Sequence, residues 1–410
     1  MSGENRTLRD ICELIVDCEH KTAPTQETGY PSIRTPNIGR GRLILENVNR
    51  VSEETYLEWT RRAIPQVDDL ILAREAPVGN VAIIPKNLKV CLGQRTVLIR
   101  PDKDNIDPMF LVYFMLGDEI QARLLGQATG ATVRHLNMSD IRNLELPILP
   151  PLPTQRKIAA ILSAYDDLIE NNTRRIQILE EMAQTIYREW FVHFRFPGHD
   201  NARFVDSPLD RVPEGWEVAT LGDLCELKKD KFRKEEHGEL PLLDLAKMSQ
   251  RTLSVGEMGN PDELSTSRII FDEDDVLFGS IRPYLHKVAL APCQGVTNVS
   301  VLVIRPGDEG LRSFLAVLLS SIDVIRWADQ HSTGTKMPVI KWDAFQTMPV
   351  LVPAESVLRA FETAVQPMLQ TVKMTYSRNR NLRHTRDLLL PKLISGELDV
   401  SELDVDISEV

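Results

Sequence analysis

Polar loops that carry arginine beside asparagine, glutamine or threonine are the residues of this chain best suited to recognition chemistry. Gly29-Tyr30-Pro31-Ser32-Ile33-Arg34-Thr35-Pro36-Asn37 leads into Arg40 and Arg42. Arg74, Gln94, Arg95, Arg134, His135 and Asn137 continue the mixture. In the second half the densest patch is Lys228, Lys229, Lys231, Arg233 and Lys234, followed by Lys247, Arg282, Tyr284, Asn298, Lys336 and Lys341. Arg, Lys, Asn and Gln read base edges in a major groove, while Ser, Thr and backbone donors hold phosphates. Arg34, Thr35, Asn37, Arg40, Arg42 and the residues after them are therefore candidates for contact with nucleic acid. The alternative for each is a solvated surface charge.

Bond-making chemistry is harder to place. The sequence has no G-x-x-x-x-G-K-[ST] phosphate loop, and Gly39-Arg40-Gly41-Arg42 lacks a third glycine and a following helix, so it reads as a turn. No Asn/Asp-Pro-Pro-aromatic tetrapeptide of the kind that holds a flipped base is present. Glu226-Leu227-Lys228 is a fragment of a nuclease-like carboxylate and lysine set, but chance produces it often. The eight histidines form no H-E-x-x-H pattern, and the five cysteines form no C-x-x-C pair, which suits a reducing compartment and small buried side chains. No catalytic residue, metal or cofactor is expected.

The net charge of −11 is awkward for a nucleic-acid partner. The tail after Gly396 carries Glu397, Asp399, Glu402, Asp404, Asp406 and Glu409 with no base, and reads as a solvated end. The rest is still mildly acidic, so any nucleic-acid contact would have to use local basic patches or rely on a partner for much of the electrostatic grip. No run of eighteen apolar residues exists and the N-terminus is polar, so neither a membrane span nor a signal peptide is expected. A cytoplasmic location follows as an expectation.

The elements that must position these loops occur twice. Thr7-Leu8-Arg9-Asp10-Ile11-Cys12-Glu13-Leu14 returns as Thr220-Leu221-Gly222-Asp223-Leu224-Cys225-Glu226-Leu227. Asp69 to Arg74 returns as Asp275 to Ser280, Leu98-Ile99-Arg100-Pro101 as Val303-Ile304-Arg305-Pro306, and Thr129-Gly130 as Thr333-Gly334. A period near two hundred residues is too long for a solenoid unit, so each half is a domain followed by its own helix. Short β-like runs at 69–72, 81–84, 96–99, 275–278 and 300–304, with helices at 108–116 and 311–325, make each domain α+β.

Prolines 147, 150, 151 and 153 close the first domain. From Thr154 a heptad seam runs through Ile158, Leu162, Tyr165, Ile169, Asn172, Ile176, Leu179, Ala183, Ile186 and Trp190. Asn172 is its polar member, a residue type that fixes register. Placing Pro150 on Pro353 carries the seam to Phe361, Val365, Met368, Val372, Thr375, Asn379, Leu382, Arg386, Leu389 and Leu393 in a second helix that stops at Gly396. Pro367 should kink or break that helix. The seam is read as the packing of the two helices on each other. Forty helical residues would span roughly 60 Å.

Two helical stretches carry a family resemblance. Ile169-Glu170-Asn171-Asn172-Thr173-Arg174-Arg175-Ile176-Gln177-Ile178-Leu179-Glu180-Glu181-Met182-Ala183, running on to Tyr187-Arg188-Glu189-Trp190-Phe191, resembles the central conserved region of type I restriction-modification specificity subunits. Leu382 to Leu398 resembles the end of that family, and Pro213-Glu214-Gly215-Trp216 is similar to its entry into a recognition domain. The resemblance implies two mixed α/β target-recognition domains, joined and separated by two long antiparallel coiled-coil helices as a pseudo-twofold repeat. It implies residues 1–150 and 214–353 as those domains, 151–196 and 354–396 as spacer helices, 197–213 as a connector and 397–410 as the acidic tail.

The family reads a split double-stranded DNA target, one half per domain. Its helices dock two methyltransferase subunits, and two motor-nuclease subunits complete the restriction enzyme. Partner docking is expected on the helix faces away from the seam, where Arg174, Arg175, Glu180, Glu181 and Arg188 lie, and on Tyr187, Trp190 and Phe191. The alternatives are a reader that serves a methyltransferase without a restriction partner, a self-sufficient nuclease, and a coiled-coil scaffold.

Overall fold

The structure is a computed structural model describing residues 6–130, 134–208, 210–260, 262 and 267–405. Two units emerge: Met1–Asp167 with Arg383–Val410, and Leu168–Leu382.

The first unit is built on a four-stranded antiparallel sheet. Its strands run in the spatial order Cys12–Asp17, Thr96–Pro101, Leu70–Ala73 and Val81–Ile83. Leu70, Leu72, Val97 and Ile99 fill the face against the helix Pro108–Leu116, whose Asp107 N-cap accepts from the Phe110 N–H at 2.8 Å. Residues of opposite parity, Ile71, Ala73 and Leu98, pack on Ile33, Ile38 and Val90 beyond the other face. The strand therefore reads as a continuous apolar run, because it is covered on both sides.

The second unit repeats the order with Cys225–Lys228, Val301–Pro306, Val276–Gly279 and Val288–Leu290. In both, a Thr–Asp capping box opens the first strand: the Thr7 and Thr220 N–H groups donate to Asp10 and Asp223 at 2.7 and 2.8 Å. In both, a nearly inaccessible aspartate grips an arginine through two bonds. Arg100 donates to Asp69 at 2.8 and 2.8 Å, and Arg305 to Asp275 at 2.7 and 2.7 Å. The helix expected at 311–325 is two, Arg312–Leu319 and Ile322–Gln330. Ser321 divides them, its side chain capping the Val324 N–H.

The long helices are Leu152–Tyr187 and Glu355–Ser395. The first ends in a wide turn at Arg188–Val192 rather than continuing to 196. In the first unit, Ile158 and Leu162 share a core with Leu393, and half-buried Leu389 packs against it. In the second unit, Ile176 and half-buried Leu179 meet Val372 and Tyr376, and Ala183 and Ile186 meet Phe361, Val365 and Leu369. Rising numbers on one helix face falling numbers on the other, so the pairing within each unit is antiparallel. Ile169 and Asn172 are buried on this stripe, while Tyr165 and Leu382 are half-buried.

Two expectations are corrected, the break at Pro367 and the solvated start of the tail. Pro367 does not break the second helix; it sits on an exposed face, where water can serve the carbonyl its ring leaves unbonded. The connector carries a hairpin, Phe204–Ser207 against Asp210–Pro213. The acidic tail is not solvated from its start: Val400 is buried in the first unit's core and Lys157 Nζ donates to the Ser401 carbonyl at 2.6 Å. Residues 406–410 lie outside the described residues.

Candidate nucleic-acid interface

Strand ends of the first domain gather four of the anticipated residues into one cleft. Arg74 follows the strand Leu70–Ala73, Gln94 and Arg95 precede Thr96–Pro101, and His135 bonds back to Thr129 through both backbone groups at 2.8 and 3.0 Å. With His20 and Glu75 they line a cleft of about 270 Å³. Arg95 holds its backbone at φ 68°, a conformation costly for a side chain of its type.

Arg74 is the fixed member. Its guanidinium donates to Asp17 at 2.7 Å and to the Leu136 carbonyl at 2.8 Å, and it is mostly buried. His20 Nε2 lies 3.1 Å from the same aspartate. Arg95 is 59 % exposed and pairs with Glu75, and Gln94 donates to the His20 carbonyl at 3.4 Å. Two guanidinium groups in a concave, polar site suit an acceptor-rich partner such as a phosphate or the O6/N7 edge of guanine. Asp17, Cys18 and His20 also bring ligand-type atoms within 4.8 Å of one another. Burial pushes the Cys18 thiol up and Arg74 already neutralises Asp17, so the group serves as an arginine clamp.

Other anticipated residues have structural work. Asn37 is buried, accepting from the Arg34 N–H at 3.2 Å and donating to the Ile44 carbonyl at 3.1 Å, and Thr35 is buried beside it. Arg40 donates to the Leu116 carbonyl at 3.1 Å and Arg42 pairs with Asp167 on the first long helix. The Gly39–Arg42 segment is a turn, with Gly41 at φ 98°. Arg34, Arg134 and Asn137 are exposed, and Asn137 caps Met138–Arg142.

In the second domain Lys229, Lys231, Arg233, Arg282, Tyr284, Lys336 and Lys341 are exposed. Lys228 pairs with Glu226, and Arg233 donates to Glu236 at 2.8 Å, so part of the basic patch is neutralised locally. Lys247 is half-buried, and Asn298 accepts from the Ser300 N–H at 3.0 Å. The side chain of Lys234 lies outside the described residues.

The aromatic run at the end of the first long helix is corrected. Tyr187 and Phe191 are 9 % and 7 % exposed, packed with Phe314 and Phe361 in the second unit's core, and Trp190 is half-buried 5.9 Å from Phe361. Tyr187 and Phe191 therefore consolidate the core of the domain, and Trp190 packs at its margin. Glu180 likewise turns inward, accepting from the Thr252 hydroxyl at 2.8 Å and the Leu253 and Ser254 N–H groups at 3.0 Å each.

The type I restriction modification DNA specificity domain matches residues 3–181 and 213–356, both copies of the repeated fold. The chain belongs to this family. Among relatives of the specificity family, the type I restriction enzyme MjaIX specificity subunit of Methanocaldococcus jannaschii is 26 % identical over 366 residues, covering 86 % of this chain and 82 % of that protein. The type I restriction enzyme HindI specificity subunit of Haemophilus influenzae is 22 % identical over 406 residues, covering 82 % and 88 %. The crystal structure of a type I restriction-modification system S subunit from M. genitalium shares the fold, with a TM-score of 0.60, 17 % identity and coverage of 95 % and 96 %. Among the described residues of this specificity-family chain, no helix is long and apolar enough to cross a membrane.

Two cleft residues were not anticipated. His20 and Glu75 are a lone histidine and a lone acid in sequence; the signal available was their place near strand ends that also carry Arg74 and Arg95.

Proposed function

We propose that this chain is the DNA sequence-specificity subunit of a type I restriction-modification complex, working in the cytoplasm without catalysis of its own. In this reading, residues 1–150 and 214–353 are target-recognition domains, each reading one half of a bipartite double-stranded site. The long helices Leu152–Tyr187 and Glu355–Ser395 are the spacers that dock two methyltransferase subunits, and two restriction subunits complete the assembly. The observation that carries the reading is the family match over both copies of one sheet topology. Two similar domains on one chain suit two half-sites, and the cleft of Arg74, Gln94, Arg95 and His135 offers one of them hydrogen-bond donors.

The test is co-expression with the methyltransferase subunit of the same system. Methyl transfer to DNA that requires this chain is the expected result. Metal-dependent cleavage by the isolated chain would replace the reading with that of a nuclease.

A further inference from the structure

The two domains superpose bond by bond where their central strands end. The Arg74 N–H donates to the Arg95 carbonyl at 2.9 Å, and the Ser280 N–H to the Ser300 carbonyl at 2.9 Å. The Leu136 N–H donates to the Arg74 carbonyl at 3.1 Å, and the Ile340 N–H to the Ser280 carbonyl at 2.9 Å. The bridge from Thr129 to His135 recurs from Thr333 to Val339. Arg100 lies opposite Leu14 in the first domain and Arg305 opposite Glu226 in the second, the irregularity after Cys12 absorbing one residue. Carrying that register to the strand end sets Asp17 in the place of Lys229.

Asp17, Arg74, Arg95 and His135 thus correspond to Lys229, Ser280, Ser300 and Val339. The scaffold beneath them is retained, since the Asp69–Arg100 pair recurs as Asp275–Arg305. All four side chains on that scaffold change charge or polarity. Two of the changes are coupled: the carboxylate that clamps Arg74 becomes a lysine where the arginine becomes a serine, which avoids a lysine facing a guanidinium.

We infer that these four matched positions decide which base each domain reads, with Arg74 and Arg95 selecting an acceptor-rich edge such as the O6/N7 pair of guanine. The inference rests on the DNA-reading function proposed above. A guanidinium held by Asp17 and the Leu136 carbonyl is set in orientation before DNA arrives, so little freedom is lost on binding. The second domain has no such fork at these places. Its Ser280 hydroxyl donates to the Ser300 carbonyl at 2.9 Å and its cation, Lys229, stands exposed at the edge strand, so it selects a different base.

Methylated sites mapped across a genome for the chain co-expressed with its methyltransferase subunit, as wild type, Arg95→Ser, Arg74→Ser with Asp17→Asn, and Ser300→Arg, test the inference. Each arginine variant should lose discrimination at a base of one half-site by about tenfold or more, with the other half and the gap unchanged. Ser300→Arg should alter only the other half. Arg95 and Ser300 stand outside the buried clamp, so their variants decide the matter even where the double variant fails to fold. A wild-type motif preserved by every folded variant, with methylation either unchanged or uniformly weakened as for a phosphate contact, overturns the inference alone. A wild-type complex that yields no split motif removes the functional reading and the inference with it.

Discussion

The Asn172 side-chain amide donates to the Asn379 side-chain carbonyl at 2.9 Å, and Asn379 donates in turn to the Ile169 carbonyl at 3.2 Å. Both asparagines are buried in the helix stripe of the second unit. One register satisfies them, and a slip along either helix would strand two amides among apolar side chains. Asn172→Ala leaves the Asn379 side-chain carbonyl without its donor and should lower stability by about 1–3 kcal/mol. Asn172→Leu with Asn379→Leu should recover much of that loss. Urea unfolding of the single and double variants, combined as a double-mutant cycle, checks the coupling; additive losses would show that the pair does not act as a unit.

Phe191 lies 5.2 Å from Phe314, 4.9 Å from Phe361 and 5.9 Å from Trp216, ring centre to ring centre. Phe191→Ala removes the middle of this cluster and should cost about 3–5 kcal/mol. The measurement is the denaturation midpoint of the second unit's transition. A fully stable Phe191→Ala chain that no longer assembled with its partners would instead restore a docking role.

Burial holds Glu180 and Glu362 above the usual carboxylate range, although each accepts several hydrogen bonds. Glu362 accepts from the Ser313 and Phe314 N–H groups at 2.9 and 3.0 Å, facing the start of the helix Arg312–Leu319. With both folded pKa values raised, the unfolded chain releases its protons first, so the folded state binds more protons in the window just above the ordinary glutamate value. Stability therefore falls as pH rises through that window. Glu180→Gln with Glu362→Gln should flatten this part of the pH profile, as read by unfolding midpoints between about pH 4 and pH 7. An unchanged slope would contradict the account.

Much of the architecture was legible because it is written twice. Weak β-like runs gained weight when Asp69-Leu70-Ile71-Leu72 and Asp275-Val276-Leu277-Phe278 fell in the same order between the same neighbours, and the three apolar residues of each lie in matched sheets. The asparagine in an apolar heptad marked a register position, and sliding the seam placed Asn379 on the second helix without pairing the two; the bond between them is seen only in the structure. The break expected at Pro367 does not occur, because the helix is held by packing on both sides of an exposed proline. The aromatic run misled for a related reason: hot-spot residue types are also core residue types, and only the neighbours Phe314 and Phe361, remote in sequence, distinguish the two.

The candidate site was legible by residue type and illegible as a group. Arg74, Gln94, Arg95 and His135 are scattered over some sixty residues of sequence and meet only because antiparallel strands return their ends to one edge. Asn37 looked like a contact and is a buried turn residue, since a polar side chain that bonds local backbone has the same sequence signature as one that faces a ligand, and Thr35 is buried beside it.

Genome-wide mapping of the bases methylated by the wild-type chain and its methyltransferase subunit tests the two-reader account most directly. The account predicts one split motif whose halves differ in sequence and are separated by one fixed gap. A single continuous motif, or no motif from a folded complex that binds DNA, would contradict it.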